Sequence, residues 1–199
     1  MSKKKLLVTA GIIISVIAIA VLAVIIISHT ERSNGGIARL ELDPPQKVSL
    51  SDETVTLDVK LSKLGEVLYP AASMSISFDP SKLEFIGIGE GNLLIHDENI
   101  GKRLPDWSCN VTQSNQTGLI NIMYLDLTGG KNAFSKELFE DDYNVVLRLK
   151  FRLRGSLRDG DVCDIIIEDA VFAASDESQS LASAKNTLKV KNGKIVIKK

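Results

Sequence analysis

Two histidines, His29 and His96, are all the imidazole this chain contains, and one of them sits beside a long apolar run. A Ser-His-Asp relay or a His-based metal cluster has almost nothing to draw on. No glycine-rich phosphate loop, nucleophile elbow or HExxH is present, so the sequence is read as non-catalytic, with no cofactor and no metal site. Arg158 to Asp164, RDGDVCD, approaches a calcium loop, but Gly160 comes too early and Cys163 stands where a third ligand is needed. It reads instead as an Asp-Gly hairpin turn between two strands. Cys109 and Cys163 match no metal spacing; as a pair they are a disulfide candidate, and free thiols are the equal alternative. Asn110 and Asn115 each begin an N-x-T sequon and are glycosylation candidates, the alternative being two ordinary loop asparagines.

What must position these residues is legible as strand-length alternation. Val55 to Leu61 places Val55, Leu57, Val59 and Leu61 on one side and Thr56, Asp58 and Lys60 on the other. Asn144 to Arg154 does the same, with Leu147, Leu149, Phe151 and Leu153 opposite Arg148, Lys150, Arg152 and Arg154. That basic stripe is read as a solvated outer face with acidic cross-strand neighbours such as Asp58. Further strands are expected at Ile37–Leu42, Ser73–Phe78, Leu83–Ile88, Trp107–Thr112, Leu119–Leu127, Cys163–Glu168, near Val171-Phe172, and Leu188–Ile197. The segment QSNQTG (113–118) reads as a hairpin loop, and only Phe134–Glu140 reads as a helical turn or two. About nine short strands with turn signals between them predict an all-β sandwich. Its core is expected to include Leu57, Val59, Met74, Ile76, Phe78, Leu83, Ile122, Tyr124, Leu149 and Phe151.

The stretch SMSISF (73–78) is unusual on its polar side. Ser73, Ser75 and Ser77 offer only hydroxymethyl groups where charged residues or threonine are common, which leaves a low, uncharged surface. Trp107 is the single tryptophan, and aromatic residues make up 5% of the chain, too few to suggest a sugar-stacking platform.

Ahead of this domain, Leu6–Ser28 carries no charge over 23 residues and follows Lys3, Lys4 and Lys5. At 1.5 Å per residue such a run crosses a hydrocarbon core of about 30 Å, and the positive-inside rule places the N-terminus in the cytoplasm. A cleaved signal peptide has a shorter apolar segment, of about 7–15 residues, so an uncleaved anchor fits the length better. The expected organisation is a tail at 1–5, a transmembrane helix at 6–28, a linker at 29–36 and a sandwich domain at 37–199. The localisation is single-pass in the cell membrane, with the C-terminal domain outside. Without the three N-terminal lysines, 21 basic residues face 25 acidic ones, a balance that argues against nucleic-acid binding.

Ser75 to Phe85, SISFDPSKLEF, resembles the aromatic-Asp-Pro-x-x-Leu-x-hydrophobic signature of cohesin domains, the modules that bind dockerins. Ser51–Leu57 is similar to the family's strand lead-in, Asn144–Leu153 to its late strand and Asn192–Ile197 to its last. The resemblance spans about residues 36 to 199. It implies a nine-stranded jelly-roll sandwich that docks a dockerin on one sheet, through the strands holding Ala71–Phe78 and Trp107–Leu127. Asn121, Met123, Leu125 and Asp126 fall at contact positions. Ala71 and Ser73 stand where many enzyme-binding cohesins carry Asn and Asp, a departure that bears on which dockerin is taken. The expected partner-binding set is therefore Ser73, Ser75, Asn121, Met123, Leu125 and Asp126, with calcium on the partner's side. The expected function is a membrane-anchored module that tethers a dockerin-bearing protein at the cell surface. The alternative is a carbohydrate-binding or structural envelope sandwich whose ligand is a polysaccharide.

Overall fold

The computed structural model of the chain describes residues 37–45, 47–92, 95–97, 101–103, 106–136 and 144–198. The apolar run at 6–28 and the linker at 29–36 lie outside the described residues. Among the described residues no helix is long and apolar enough to cross a membrane.

Alternation becomes strand wherever one face can be buried. In chain order the strands are β1 (Ala38–Asp43), β2 (Val55–Ser62), β3 (Ala71–Ser77), β4 (Leu83–Glu90), β5 (Ile95–Asp97), β6 (Gly101–Arg103) and β7 (Ser108–Cys109). A short helix α1 (Val111–Thr117) follows, then β8 (Leu119–Leu125), β9 (Val145–Leu153), β10 (Val162–Ala173), β11 (Leu181–Ala182), β12 (Leu188–Lys191) and β13 (Gly193–Val196). One sheet has the order β12-β1-β2-β9-β4; the other runs β11-β10-β3-β8-β7, with β13 also pairing β10. Strands β5 and β6 form a separate hairpin.

Between the two sheets lies the core. All ten residues expected there are buried, Leu57, Val59, Ile76, Leu83, Ile122, Leu149 and Phe151 completely so. Phe151 is the hinge of a ring cluster, 5.4 Å edge-on from Phe78 and 5.6 Å from Phe85. A second cluster gathers Trp107, Tyr124, Phe134 and Phe172 near the other end of the core. The Asp79-Pro80 step ends β3 as the sequence implies. Asp79 accepts hydrogen bonds from the Ser81 N–H and hydroxyl, and its carbonyl takes the Leu83 N–H as β4 begins.

Three sequence expectations need correction. Residues 107–118 are not a long strand and a hairpin loop: β7 is two residues long and α1 replaces the loop. The Asn110 side chain accepts from Gln113 N–H as N-cap, and Gly118, at φ 71°, donates to the Ser114 carbonyl as C-cap. Those two caps make a helix of a segment with no apolar periodicity. Leu188–Ile197 is two strands, because the chain leaves one sheet after Lys191 and joins the other at Gly193. At Gly193 a Cβ would come within 3.0 Å of Leu42 Cβ, so glycine lets the chain cross closely against β1. Asp159-Gly160 is a turn, with Gly160 at φ 87°, but β9 and β10 belong to different sheets, so it is no hairpin. Phe134 itself pairs with Tyr69 in an isolated bridge, Lys136 is in a 3-10 turn, and residues 137–140 of the expected helical turn lie outside the described residues.

The disulfide candidate is a further correction. Both thiols are free. Cys109 lies opposite Ile122 on β8, and Ile122 lies opposite Met74 on β3, which faces Ala170 on β10, seven residues from Cys163. Three strand spacings alone separate the two cysteines by about 14 Å, well beyond the roughly 7 Å limit between Cα atoms of a bridge. Burial pushes both thiols up, which keeps them protonated and inert.

Candidate docking face

The two sheets turn very different faces outward. On the five-stranded sheet, outward residues pair by charge across strands: Lys60 with Asp43 at 2.5 Å, Arg148 with Asp58 at 2.8 Å and Arg152 with Glu84 at 2.9 Å. The basic stripe of β9 is thus a solvated face on which Arg148 and Arg152 have acidic partners and Lys150 has none among the described residues.

The six-stranded sheet's outward face is built around β3. Its register puts Ser73 between Met123 and Val171, Ser75 between Asn121 and Asp169, Ser77 between Leu119 and Ile166, and Ala71 between Leu125 and Ala173. Ser75 Oγ donates to Asn121 Oδ1 at 2.8 Å, which satisfies the centre of the row without placing a charge there. Met123 is 62% exposed, Leu125 64% and Leu127, just past the strand end, 86%. Short hydroxymethyl side chains therefore form a low strip, flanked on the β8 side by tall, solvent-facing aliphatic groups. Five of the six expected partner-binding residues, Ser73, Ser75, Asn121, Met123 and Leu125, share this face.

Asp126, the sixth, has a different job. Its carboxylate accepts from the Thr128 N–H and hydroxyl and from the Gly130 N–H, organising the loop after β8. Burial pushes the carboxyl up, but these bonds, with the Asn132 N–H, hold it below the usual carboxylate range. Asp126 shapes the rim of the face rather than presenting a free carboxylate on it.

Sequence reading missed the β10 flank. Register shifts between Ile167 and Asp169, so Glu168 is an extra residue and both acids are exposed. Ser77 Oγ donates to Glu168 Oε1, while Asp169 accepts from Ser183 Oγ at 2.8 Å. The consecutive Glu168-Asp169 pair inside an apolar stretch was the available sign of a bulge.

Of the two sequon asparagines, Asn110 is exposed and caps α1 through its Oδ1. Asn115 is committed to β4: its Oδ1 accepts from Phe85 N–H at 2.8 Å, and its Nδ2 donates to the Phe85 and Val111 carbonyls. An N-linked glycan leaves that nitrogen one hydrogen for two acceptors, so Asn115 serves as a backbone latch. Trp107 donates its indole N–H to the Val146 carbonyl at 3.0 Å and packs against Tyr124 and Phe134, away from the docking face. Among the described residues no group of three or more His, Cys, Asp and Glu is arranged to hold a metal ion.

Two packed sheets, with a chain that crosses between them at its last strands, define a mostly-β sandwich of the interaction-module type. The chain belongs to the cohesin family: the model of the cohesin domain matches residues 41–197. Solved structures share the fold at low identity. The OlpA cohesin of Clostridium thermocellum, in complex with Doc918, is 18% identical with a TM-score of 0.60, over 81% of this chain and 99% of that one. The third cohesin of ScaC from Acetivibrio cellulolyticus, in complex with the ScaB dockerin, is 16% identical with a TM-score of 0.59 over the same shares. The cohesin module of a Clostridium perfringens family 33 glycoside hydrolase is 9% identical, with a TM-score of 0.52, over 81% of this chain and 97% of that one. No curated protein matches the sequence. Cohesin domains are non-catalytic binding modules, and the chain is accordingly a protein-interaction module.

Proposed function

We propose that this chain is a membrane-anchored cohesin that captures a dockerin-bearing protein on the outward face of β3 and β8 and holds it at the cell surface. The observation that carries the reading is the cluster of exposed Met123, Leu125 and Leu127 beside a strip of serines. Solvent-facing aliphatic side chains grouped on one face, next to a low neutral strip, suit a docked helix better than water. Anchoring rests on the charge-free run at 6–28 after three lysines. Two of the structurally similar cohesins were solved with dockerins bound, which supports a partner of that class. A polysaccharide ligand is not favoured, since the exposed large apolar residues among those described are aliphatic or methionine and offer no ring for a sugar.

The test is titration of the full chain, in detergent, with a panel of calcium-loaded dockerins by calorimetry. Saturable binding by at least one, lost on chelation and lost in Met123→Asp, is expected. Binding by none, or equal binding by the variant, contradicts the reading.

A further inference from the structure

Charge is distributed unevenly between the two outward faces, and in a direction that bears on how the docking face is presented. On β3, β8 and the part of β10 that pairs with β3, the only outward charges are the acids Glu168 and Asp169. The five-stranded sheet is the opposite. After its three ion pairs are counted, Arg39, Lys150, Lys189 and Lys191 remain exposed on it with no ion pair among the described residues, against two acids, the half-buried Glu41 and the exposed Glu90. The register gathers most of this charge at one edge: Arg39 lies opposite Lys189, and Glu41 opposite Lys191. Lys189 and Lys191 stand on the edge strand itself, while Lys185 pairs with Glu177 and Lys194 lies on β13 of the other sheet.

That edge is also where the chain arrives. Strand β1 begins at Ala38, directly opposite Leu188, and only the eight residues 29–36 separate Ile37 from the end of the apolar run. Eight residues span at most about 29 Å even when fully extended. From the paired positions of these cations, and resting on the anchoring reading above, we propose that the outward face of the five-stranded sheet lies against the anionic lipid headgroups of the leaflet that holds the chain's own apolar segment. The face of β3 and β8, on the other side of the sandwich, has only acids on those strands and the adjoining part of β10, with Lys194 set apart on β13 opposite Asp164, and is turned away from that surface toward the partner. Unpaired lysines and arginines are drawn to an anionic surface within about a Debye length, and carboxylates are repelled, so the two faces act in the same sense. Lysines on an edge strand also deter edge-to-edge pairing. That role needs no cation in the interior of the sheet, where Lys150 stands.

The full chain is reconstituted into vesicles of phosphatidylcholine alone or with added phosphatidylglycerol, and the acetylation rate of each lysine is read by mass spectrometry. Lys150, Lys189 and Lys191 should be acetylated several-fold more slowly in the anionic vesicles. Lys82, at the turn between β3 and β4, should be unchanged. The difference should disappear in about 0.5 M salt, where screening shortens the range of the attraction to a few ångströms. Equal rates in both vesicle types overturn the orientation. Flotation of the same samples in high salt separates the two ideas: a chain that floats but shows equal rates refutes only the orientation, whereas a chain that does not float refutes the anchoring and the orientation together.

Discussion

The outward faces of the two sheets are written in the same alternating code, yet one is covered with charged side chains, several of them paired across strands, and the other with exposed aliphatic groups beside hydrogen-bonded serines. On the five-stranded sheet Arg148 finds Asp58 and Arg152 finds Glu84. On the six-stranded sheet Met123 and Leu125 face solvent beside serines. Burial decides which positions of a strand turn inward. It leaves the outward positions open, and there the residue types report what each face meets. Charge, paired or not, suits a polar surface such as water or lipid headgroups, whereas exposed aliphatic groups cost solvation until a partner covers them.

The comparison can be tested at its shared foundation first. Phe151 lies under both faces and touches Phe78 and Phe85. Phe151→Ala should lower stability by about 3–5 kcal/mol and abolish both faces together, as measured by denaturant unfolding. Next in size is a change confined to the docking face. Met123→Asp should leave the melting temperature near that of the parent and weaken dockerin binding by roughly a hundredfold or more, because a carboxylate desolvated without a partner costs about 3–5 kcal/mol. Ser75→Arg should act in the same direction.

A third change sits between the faces. Asn115→Ala removes the latch that holds α1 to the Phe85 backbone and leaves that N–H without its acceptor. It should cost about 1–3 kcal/mol in stability while dockerin binding is kept. On the charged face, Arg152→Glu should cost no more than about 1 kcal/mol, since the Arg152–Glu84 pair is largely exposed, and should leave binding unchanged. A binding loss there as large as that of Met123→Asp would erase the distinction between the faces.

The smallest expected effect is a pH dependence at the rim. The Asp126 carboxyl is held below its ordinary value in the folded protein, so the folded state favours its ionised form. Its contribution to stability is complete above the unfolded value of about 4 and is lost as pH falls through the depressed folded value. Asp126→Asn should therefore flatten the acid limb of the stability profile.

How much of this was written in the sequence depends on the length scale of the signal. Strands β2, β3, β8 and β9 were legible because seven to nine residues of alternation leave little choice of register. The outward placement of Ser73, Ser75, Asn121, Met123 and Leu125 followed from parity, and the expectation that they meet a dockerin came from the resemblance to cohesins. Helix α1 was hidden because seven residues held by Asn110 and Gly118 at their ends show no apolar face of their own. The break between β12 and β13, and the bulge that exposes Glu168 and Asp169, each depend on one or two residues meeting a distant strand: Gly193 against Leu42, and Asn192 accepting from Ile167 N–H at 2.9 Å. The position of Asp126 after β8 was visible in the sequence, and its hydrogen-bond partners in the following loop were not.

The central claim is that a bound partner covers the β3–β8 face, and Met123 allows it to be read directly. Its thioether is exposed in the free chain, whereas Met74 is buried, so mild peroxide should convert Met123 to the sulfoxide well before Met74. With saturating dockerin present, oxidation of Met123 measured by mass spectrometry should slow by an order of magnitude or so, in line with burial in a desolvated interface core. If Met123 oxidises at the free-chain rate while the partner is bound, the partner sits elsewhere and the account of this face is wrong.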